Sequence, residues 1–372
     1  MPEKILFGIP KVRFNMHVHG RGMKQWPKVK VRQLMAEAKN GLIDIMAYMP
    51  NTDPAIISIV ILKMYLKIIE LAKKKLNIVY PQYVWFGVTD DNLAECEEAL
   101  KLDGVIGLKI YPKLPGGKSV TTGSGEIGVA FESTIKKAME LCKKYNKPIA
   151  IHCDDPALIQ SYGGNPIIAE YSYVDKVLNI AREVPGVIII VCHVSCIQSA
   201  RKILKAQEEG MQVVIELCTH YLWFDNEGTN WNPNLGSAFY LCLNNLRGPE
   251  HREFLVGLLA TDNPLIIIST DDAWHLEEEK LSAKPPSGIP SIREMVSAIV
   301  TLAIQHGISE QRVYQLLSGN PSKIFNIPVS RELVEYEWEL REDDILYNGG
   351  KGENVVNPWN KSKLYVPVRR AS

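Results

Sequence analysis

The feature that most constrains this chain is a rhythm. Short, nearly continuous apolar runs rich in β-branched residues recur at 12–17, 42–48, 83–89, 105–111, 148–153, 187–194, 212–218 and 265–270. Stretches with helical periodicity lie between most of them, at 31–40, 56–75, 92–100, 131–145, 167–184, 197–209 and 248–259. Runs without polar alternation are what parallel strands buried on both faces require. Eight such strands alternating with helices predict a (β/α)8 TIM barrel of the α/β class. An open doubly wound sheet is the competing architecture, but no glycine-rich phosphate turn follows the first run.

Further helices are expected at 291–306 and 310–317, after the eighth strand. From Val334 onward the pattern is mixed, with turn signals at Asp343-Asp344, Asn348-Gly349-Gly350 and Asn357-Pro358. The expected organisation is a barrel over 1–330 and a C-terminal extension over 331–372 that packs on it.

Lys plus Arg and Asp plus Glu both number 42. With no net field to gather polyanions, a small-molecule substrate is expected, rather than nucleic acid or a membrane surface. No stretch approaches the roughly 18 apolar residues of a membrane span. Seven cysteines is an odd number, and Cys153, Cys192 and Cys218 sit inside apolar runs. That usage suits buried thiols in a reducing, cytoplasmic setting. Cys192 and Cys196 have no second pair at ligand spacing, which argues against a zinc knuckle.

The chemistry collects where the runs end. The first closes on His17-Val18-His19, and two residues two apart on a strand share a face. A His-x-His pair alone is common. Here His152 ends the fifth run, His193 the sixth and Asp271 the eighth. Four imidazoles and a carboxylate thus fall at the carboxyl-end rim, where a barrel carries its active site. These donor types suit Zn²⁺ and its neighbours. Lys109 interrupts the apolar run Val105-Ile106-Gly107-Leu108-Lys109-Ile110, and burying an ammonium is costly. A lone lysine there would snorkel or pair with a carboxylate. This one falls between the two halves of the histidine set.

The ordered series His-x-His, Lys, His, His, Asp resembles the amidohydrolase superfamily, and within it the dihydroorotases. Arg21 completes a His-x-His-x-Arg motif, and Met49-Pro50-Asn51 is similar to a Met-Pro-Asn motif. Lys109-Ile110-Tyr111-Pro112 is similar to Lys-Leu-Tyr-Pro, and Thr270-Asp271-Asp272-Ala273-Trp274-His275 to Thr-Asp-x-Ala-Pro-His. The short amino-terminal lead is similar to the compact form of that enzyme.

The resemblance implies a reversible interconversion of N-carbamoyl-L-aspartate and L-dihydroorotate in pyrimidine biosynthesis. It implies two Zn²⁺ per chain, or another divalent metal, with Lys109 carboxylated as the bridging ligand. His17, His19 and Asp271 would hold one ion and His152 and His193 the other, with Asp271 also the catalytic base. Arg21, Asn51 and His275 would bind the substrate, with Leu243 presenting backbone groups to the ring. Thr121-Thr122, in a Gly/Ser/Thr-rich segment, would close over it, with an ordinary flexible surface loop as the equally weighted alternative. Homodimeric assembly is left open.

Asn15, Gly22 and Trp274 depart from the family pattern, and Cys153-Asp154-Asp155 and Pro286-Ser287-Gly288 are similar to a longer form. Two other readings compete. One is a related cyclic amidohydrolase of hydantoinase, dihydropyrimidinase or allantoinase type. The other is a catalytically silent homologue acting as a scaffold, which would be expected to have lost donors.

Overall fold

The computed structural model describes residues 4–119, 126–242 and 244–371. The calls on Thr121-Thr122 and Leu243 lie outside these residues. The expected barrel is present. Strand β1 (Lys4–Pro10) precedes it, and its staves are β2 (Phe14–Val18), β3 (Ile45–Tyr48), β4 (Tyr83–Gly87), β5 (Val105–Ile110), β6 (Ile149–Ile151), β7 (Ile189–Val191), β8 (Val213–Cys218) and β9 (Ile266–Ser269). These eight strands are parallel and ordered as in the chain. Val18 opposite Asp272, with His19 N–H donating to the Asp272 carbonyl at 2.9 Å, joins the last stave to the first.

Two apolar cores hold the barrel. Inside it, Phe14, Met16, Ile45, Ala47, Trp85, Ile106, Ala150, Ile190, Val214 and Ile267 pack together. Ile324, Phe325 and Ile327 close the bottom of this core. Trp85 is anchored in it because its indole N–H donates to the Met16 carbonyl at 2.8 Å. The outer core lies between strands and helices. The helix Val31–Asn40, for example, buries Val31, Leu34, Met35 and Ala38, the one-sided spacing of an amphipathic helix.

Sequence and structure part in three places. The helix expected at 291–306 begins at Met295, because the Ser291 and Ile292 amides bind the Asp272 carboxylate at 2.6 and 3.0 Å instead. The expected helix at 310–317 is α-helical only over Glu310–Tyr314, then widens to a π turn before the proline-started helix Asn320–Ile324. The third is β1, a strand that the sequence did not announce. It pairs antiparallel with β10 (Leu333–Arg341), which also pairs with β13 (Leu364–Arg370). The chain's two ends therefore share one three-stranded sheet, and the Trp338 indole donates to the Phe7 carbonyl across it. The short hairpin β11 (Tyr347–Asn348) and β12 (Asn354–Val355) completes the C-terminal segment.

Glu294 ties that segment to the barrel. Its carboxylate accepts from the Tyr347 hydroxyl at 2.7 Å and from the Asn357 amide at 2.8 Å. Burial lifts the Glu294 carboxyl to about 7, so the folded protein keeps a proton that an unfolded chain has already released. The resulting stabilisation is complete below about pH 4.5 and lost as pH rises to about 7. Thermal unfolding of the wild type is therefore expected to shift downward across that window. Glu294→Gln should show a flatter profile, and an unaltered slope in the variant would contradict the assignment.

Candidate active site

Two irregularities in the strands turn the chemistry inward. In β2, Asn15 pairs with Met46 and Val18 with Tyr48, three residues against two. Such a bulge changes which face each side chain takes. Met16 fills the barrel interior while Val18 packs outside, so His17 and His19 face the mouth. In β5, Val84 pairs with Val105 but Trp85 with Gly107. Ile106 lies in the interior core while Leu108 and Ile110 face the helices, leaving Lys109 inside. Only glycine fits at 107, because a Cβ would lie 2.1 Å from the Pro148 carbonyl oxygen and 2.8 Å from the Trp85 ring.

The rim residues converge on two groups. In the first, Asp271 Oδ1 lies 3.1 Å from His17 Nε2 and 2.8 Å from His19 Nε2. In the second, His152 Nδ1 lies 2.7 Å from His193 Nε2, and His152 Nε2 bonds Asp154. The His17 and His193 rings, 5.6 Å apart, connect the groups. Lys109 is fully buried, with Nζ 2.8 Å from Cys192 Sγ and over the Tyr111 ring.

Electrostatics separates the two groups. Burial opposes a charged His17, but Glu216 and Asp271 outweigh it and hold its pKa well above the usual range. Burial likewise opposes a charged Asp271, and His17 and His19 outweigh it, so the carboxylate stays anionic. Burial brings His19 down to about 4. It also drives His152 and His193 well below the ordinary range, with the Lys109 ammonium adding to the effect on His152. Both rings are therefore neutral ligands in waiting.

These residues fit divalent metal. His17, His19 and Asp271 place ligand atoms within 4.8 Å of one another, all buried. His193 Nδ1 is buried with no hydrogen-bond partner among the described residues. A buried polar atom of that kind calls for a ligand. Three residues of the mouth, Arg21, His193 and Asp271, also hold left-handed backbone, with φ of 45°, 38° and 48°. Such conformations cost about 1–3 kcal/mol each and gather at functional sites.

The expected substrate contacts are placed differently from one another. Arg21 is buried, its Nε has no partner, and no ion pair reaches it among the described residues. Asn51 turns its Oδ1 to His19 Nδ1 at 2.7 Å, which orients that ring and leaves its Nδ2 free of partners among the described residues. His275 is already engaged at both nitrogens, by the Ser287 carbonyl at 2.9 Å and Lys28 Nζ at 3.2 Å.

Glu216, Asp154 and His220 were missed. Glu216 receives His17 Nδ1 at 3.0 Å and the His193 amide at 3.1 Å. Its signal was available, since a carboxylate inside Val213-Val214-Ile215-Glu216-Leu217 is as conspicuous as Lys109. His220 is buried beside Thr270, and burial brings its pKa down to about 4.

The departures from pattern have local reasons. Asn15 binds the Thr270 hydroxyl at 2.7 Å and the Thr270 amide at 3.2 Å, linking β2 to the end of β9. Trp274 packs edge-on against Tyr347 of the C-terminal segment, with ring centroids 4.7 Å apart.

Comparison with known proteins agrees with the sequence resemblance. The model of the Amidohydrolase family matches residues 14–331. A dihydroorotase of Pyrobaculum aerophilum is 28% identical over 85% of this chain and 73% of its own length. An allantoinase of Enterococcus faecalis is 24% identical over 84% of this chain and 71% of its own length. Among solved structures, dihydroorotase from Saccharomyces cerevisiae in complex with 5-fluoroorotic acid superposes with a TM-score of 0.82, at 17% identity over 99% of both chains. L-Hydantoinase from Arthrobacter aurescens superposes at 0.80, with 19% identity, covering 99% of this chain and 84% of that one. No helix among the described residues is long and apolar enough to cross a membrane.

The bulge in β5 makes a sharp prediction. Gly107→Ala should destabilise the protein by about 1–3 kcal/mol, as overpacking does. A thermal unfolding midpoint equal to wild type would show that the close approach at Gly107 is not needed.

Proposed function

Because the chain belongs to the amidohydrolase family, we propose that this cyclic-amide hydrolase is a dihydroorotase, interconverting N-carbamoyl-L-aspartate and L-dihydroorotate in pyrimidine biosynthesis. The observation that carries the choice of substrate is Arg21. A buried guanidinium with no ion pair among the described residues is a receptor waiting for an anion, and its planar fork matches a carboxylate. Dihydroorotate carries a ring carboxylate; hydantoin and allantoin do not. The free Nδ2 of Asn51 adds a second donor, and His275, held by Lys28, stands close enough to Arg21 to feel its charge.

His17, His19 and Asp271 would hold one divalent ion, Zn²⁺ by donor type, and His152 and His193 the second. Lys109 would join them as a carbamate, formed when its amine adds to CO₂ and releases a proton. That change removes a buried cation and supplies two oxygen donors. Bound there, a metal pair lowers the pKa of water and polarises the amide carbonyl. The remaining work falls to the chain. Arg21 and Asn51 fix the ring by its carboxylate, which sets the amide carbon in the mouth. Asp271, kept anionic, accepts the proton of the attacking water and returns it to the departing ring nitrogen. The C–O bond forms, the ring C–N bond breaks, and the reverse order closes the ring. The set of donors is complete, which argues against a silent scaffold.

An activity panel tests this reading. Dihydroorotate should be opened, with hydantoin and allantoin turned over far more slowly; efficient allantoin or hydantoin hydrolysis with inert dihydroorotate would overturn it. Arg21→Met should lower kcat/KM for dihydroorotate about 10–150-fold, the 1.5–3 kcal/mol of a hydrogen bond to a charged group. Asp271→Asn and chelation should each abolish turnover, with Zn²⁺ restoring only the chelated wild type.

A further inference from the structure

Within the function proposed above, on which this reading rests, we infer that Lys28 rather than His275 makes the further contact to the substrate's ring carboxylate, and that His275 serves to position Lys28. The hydrogen bonds of His275 carry the point. The Ser287 carbonyl, 2.9 Å from Nε2, can only accept, so Nε2 holds the ring proton. The Lys28 ammonium, 3.2 Å from Nδ1, can only donate, so Nδ1 presents its lone pair. His275 is therefore a neutral ring with both nitrogens spent and no N–H left to give a carboxylate.

Lys28 has the donor that His275 lacks. An ammonium carries three N–H groups. One reaches Glu279 at 2.7 Å and one reaches His275, which leaves the third without a partner among the described residues. The Lys28 side chain is 24% exposed, as a group that meets an incoming ligand must be. Lys28 and Arg21 also share one loop, which the Gly22 amide closes on the Val29 carbonyl at 3.4 Å and the Gly350 amide holds at the Pro27 carbonyl at 2.6 Å.

Charge points the same way. His275 feels three cations, Arg21, Lys28 and Lys280, against the carboxylate of Glu279. Lys280 is committed to the Pro286 and Leu241 carbonyls at 2.9 and 3.2 Å. Burial lowers the Lys28 pKa and the Arg21 guanidinium lowers it further, while Glu279 raises it. An anion bound at Arg21 relieves that repulsion, because it attracts both cations. The competing role for Lys28 is a plain ion pair with Glu279. Such a pair has no use for a neutral imidazole locked in place by a carbonyl, whereas a receptor needs its ammonium fixed at a second point.

Steady-state kinetics of dihydroorotate opening by the metal-loaded full chain tests the assignment. Lys28→Met should raise KM about 10–150-fold, the range for a lost hydrogen bond to a charged group, with kcat little changed. Lys28→Arg, which keeps a cationic donor, should recover most of that loss. His275→Ala should raise KM in the wild-type background and add little to Lys28→Met, because it acts through Lys28. Unfolding midpoints establish that each variant is folded. A crystal of the wild type with orotate gives the answer without a variant, with Lys28 Nζ expected in hydrogen-bond contact with the carboxylate. An unaltered KM in Lys28→Met, effects of the two substitutions that multiply, or a carboxylate bound by His275 instead would overturn the inference while leaving dihydroorotate as the substrate. A wild type inert to dihydroorotate would overturn the proposed function and this contact with it.

Discussion

Charge burial in the mouth of the barrel is the constraint on which everything else turns. Lys109, His17, Glu216 and Asp271 are almost wholly removed from water. An isolated ion in such a place would neutralise or open the structure. Here each charge is held by an opposite one: His17 stands between Glu216 and Asp271, and Lys109 lies near Glu216 and against Cys192. The same low-dielectric enclosure keeps His152 and His193 neutral, which is the protonation state a metal ligand needs. Stability and chemistry are set by the same few contacts.

The scaffold exists to hold that balance in place. A smooth (β/α)8 barrel would fill its interior with aliphatic layers up to the rim. The bulges in β2 and β5 interrupt the layering at the height where His17, His19 and Lys109 turn inward. Asn15 and Asp272 then fasten the eighth stave, the first stave and the following turn to one another, so Asp271 is delivered beside the histidines. The C-terminal segment supports the same corner from outside, through Tyr347 against Trp274 and through Glu294.

Much of this was legible in the sequence, because burial on both faces leaves a strand with no polar alternation and the eight runs are unambiguous. His17, His19, His152, His193 and Asp271 were readable since each ends such a run. Less legible was anything depending on pairing across distance. β1 was hidden because its partner β10 lies more than three hundred residues away and its own pattern is broken by Gly8 and Pro10. Glu216 interrupts an apolar run as visibly as Lys109 does, but its partnership with His17 is a contact no local pattern encodes. His275 shows the opposite lesson: it sits in the right motif, yet Ser287 and Lys28 already engage both of its nitrogens.

Under the proposed function, donors from separate strands gather around divalent ions in the barrel mouth. Anomalous diffraction at the zinc edge, from crystals grown with zinc present, addresses it most directly. Strong peaks are expected inside the mouth, one bounded by His17, His19 and Asp271 and another beside His152 and His193. A mouth without anomalous density, while zinc is visible elsewhere in the lattice, would contradict it.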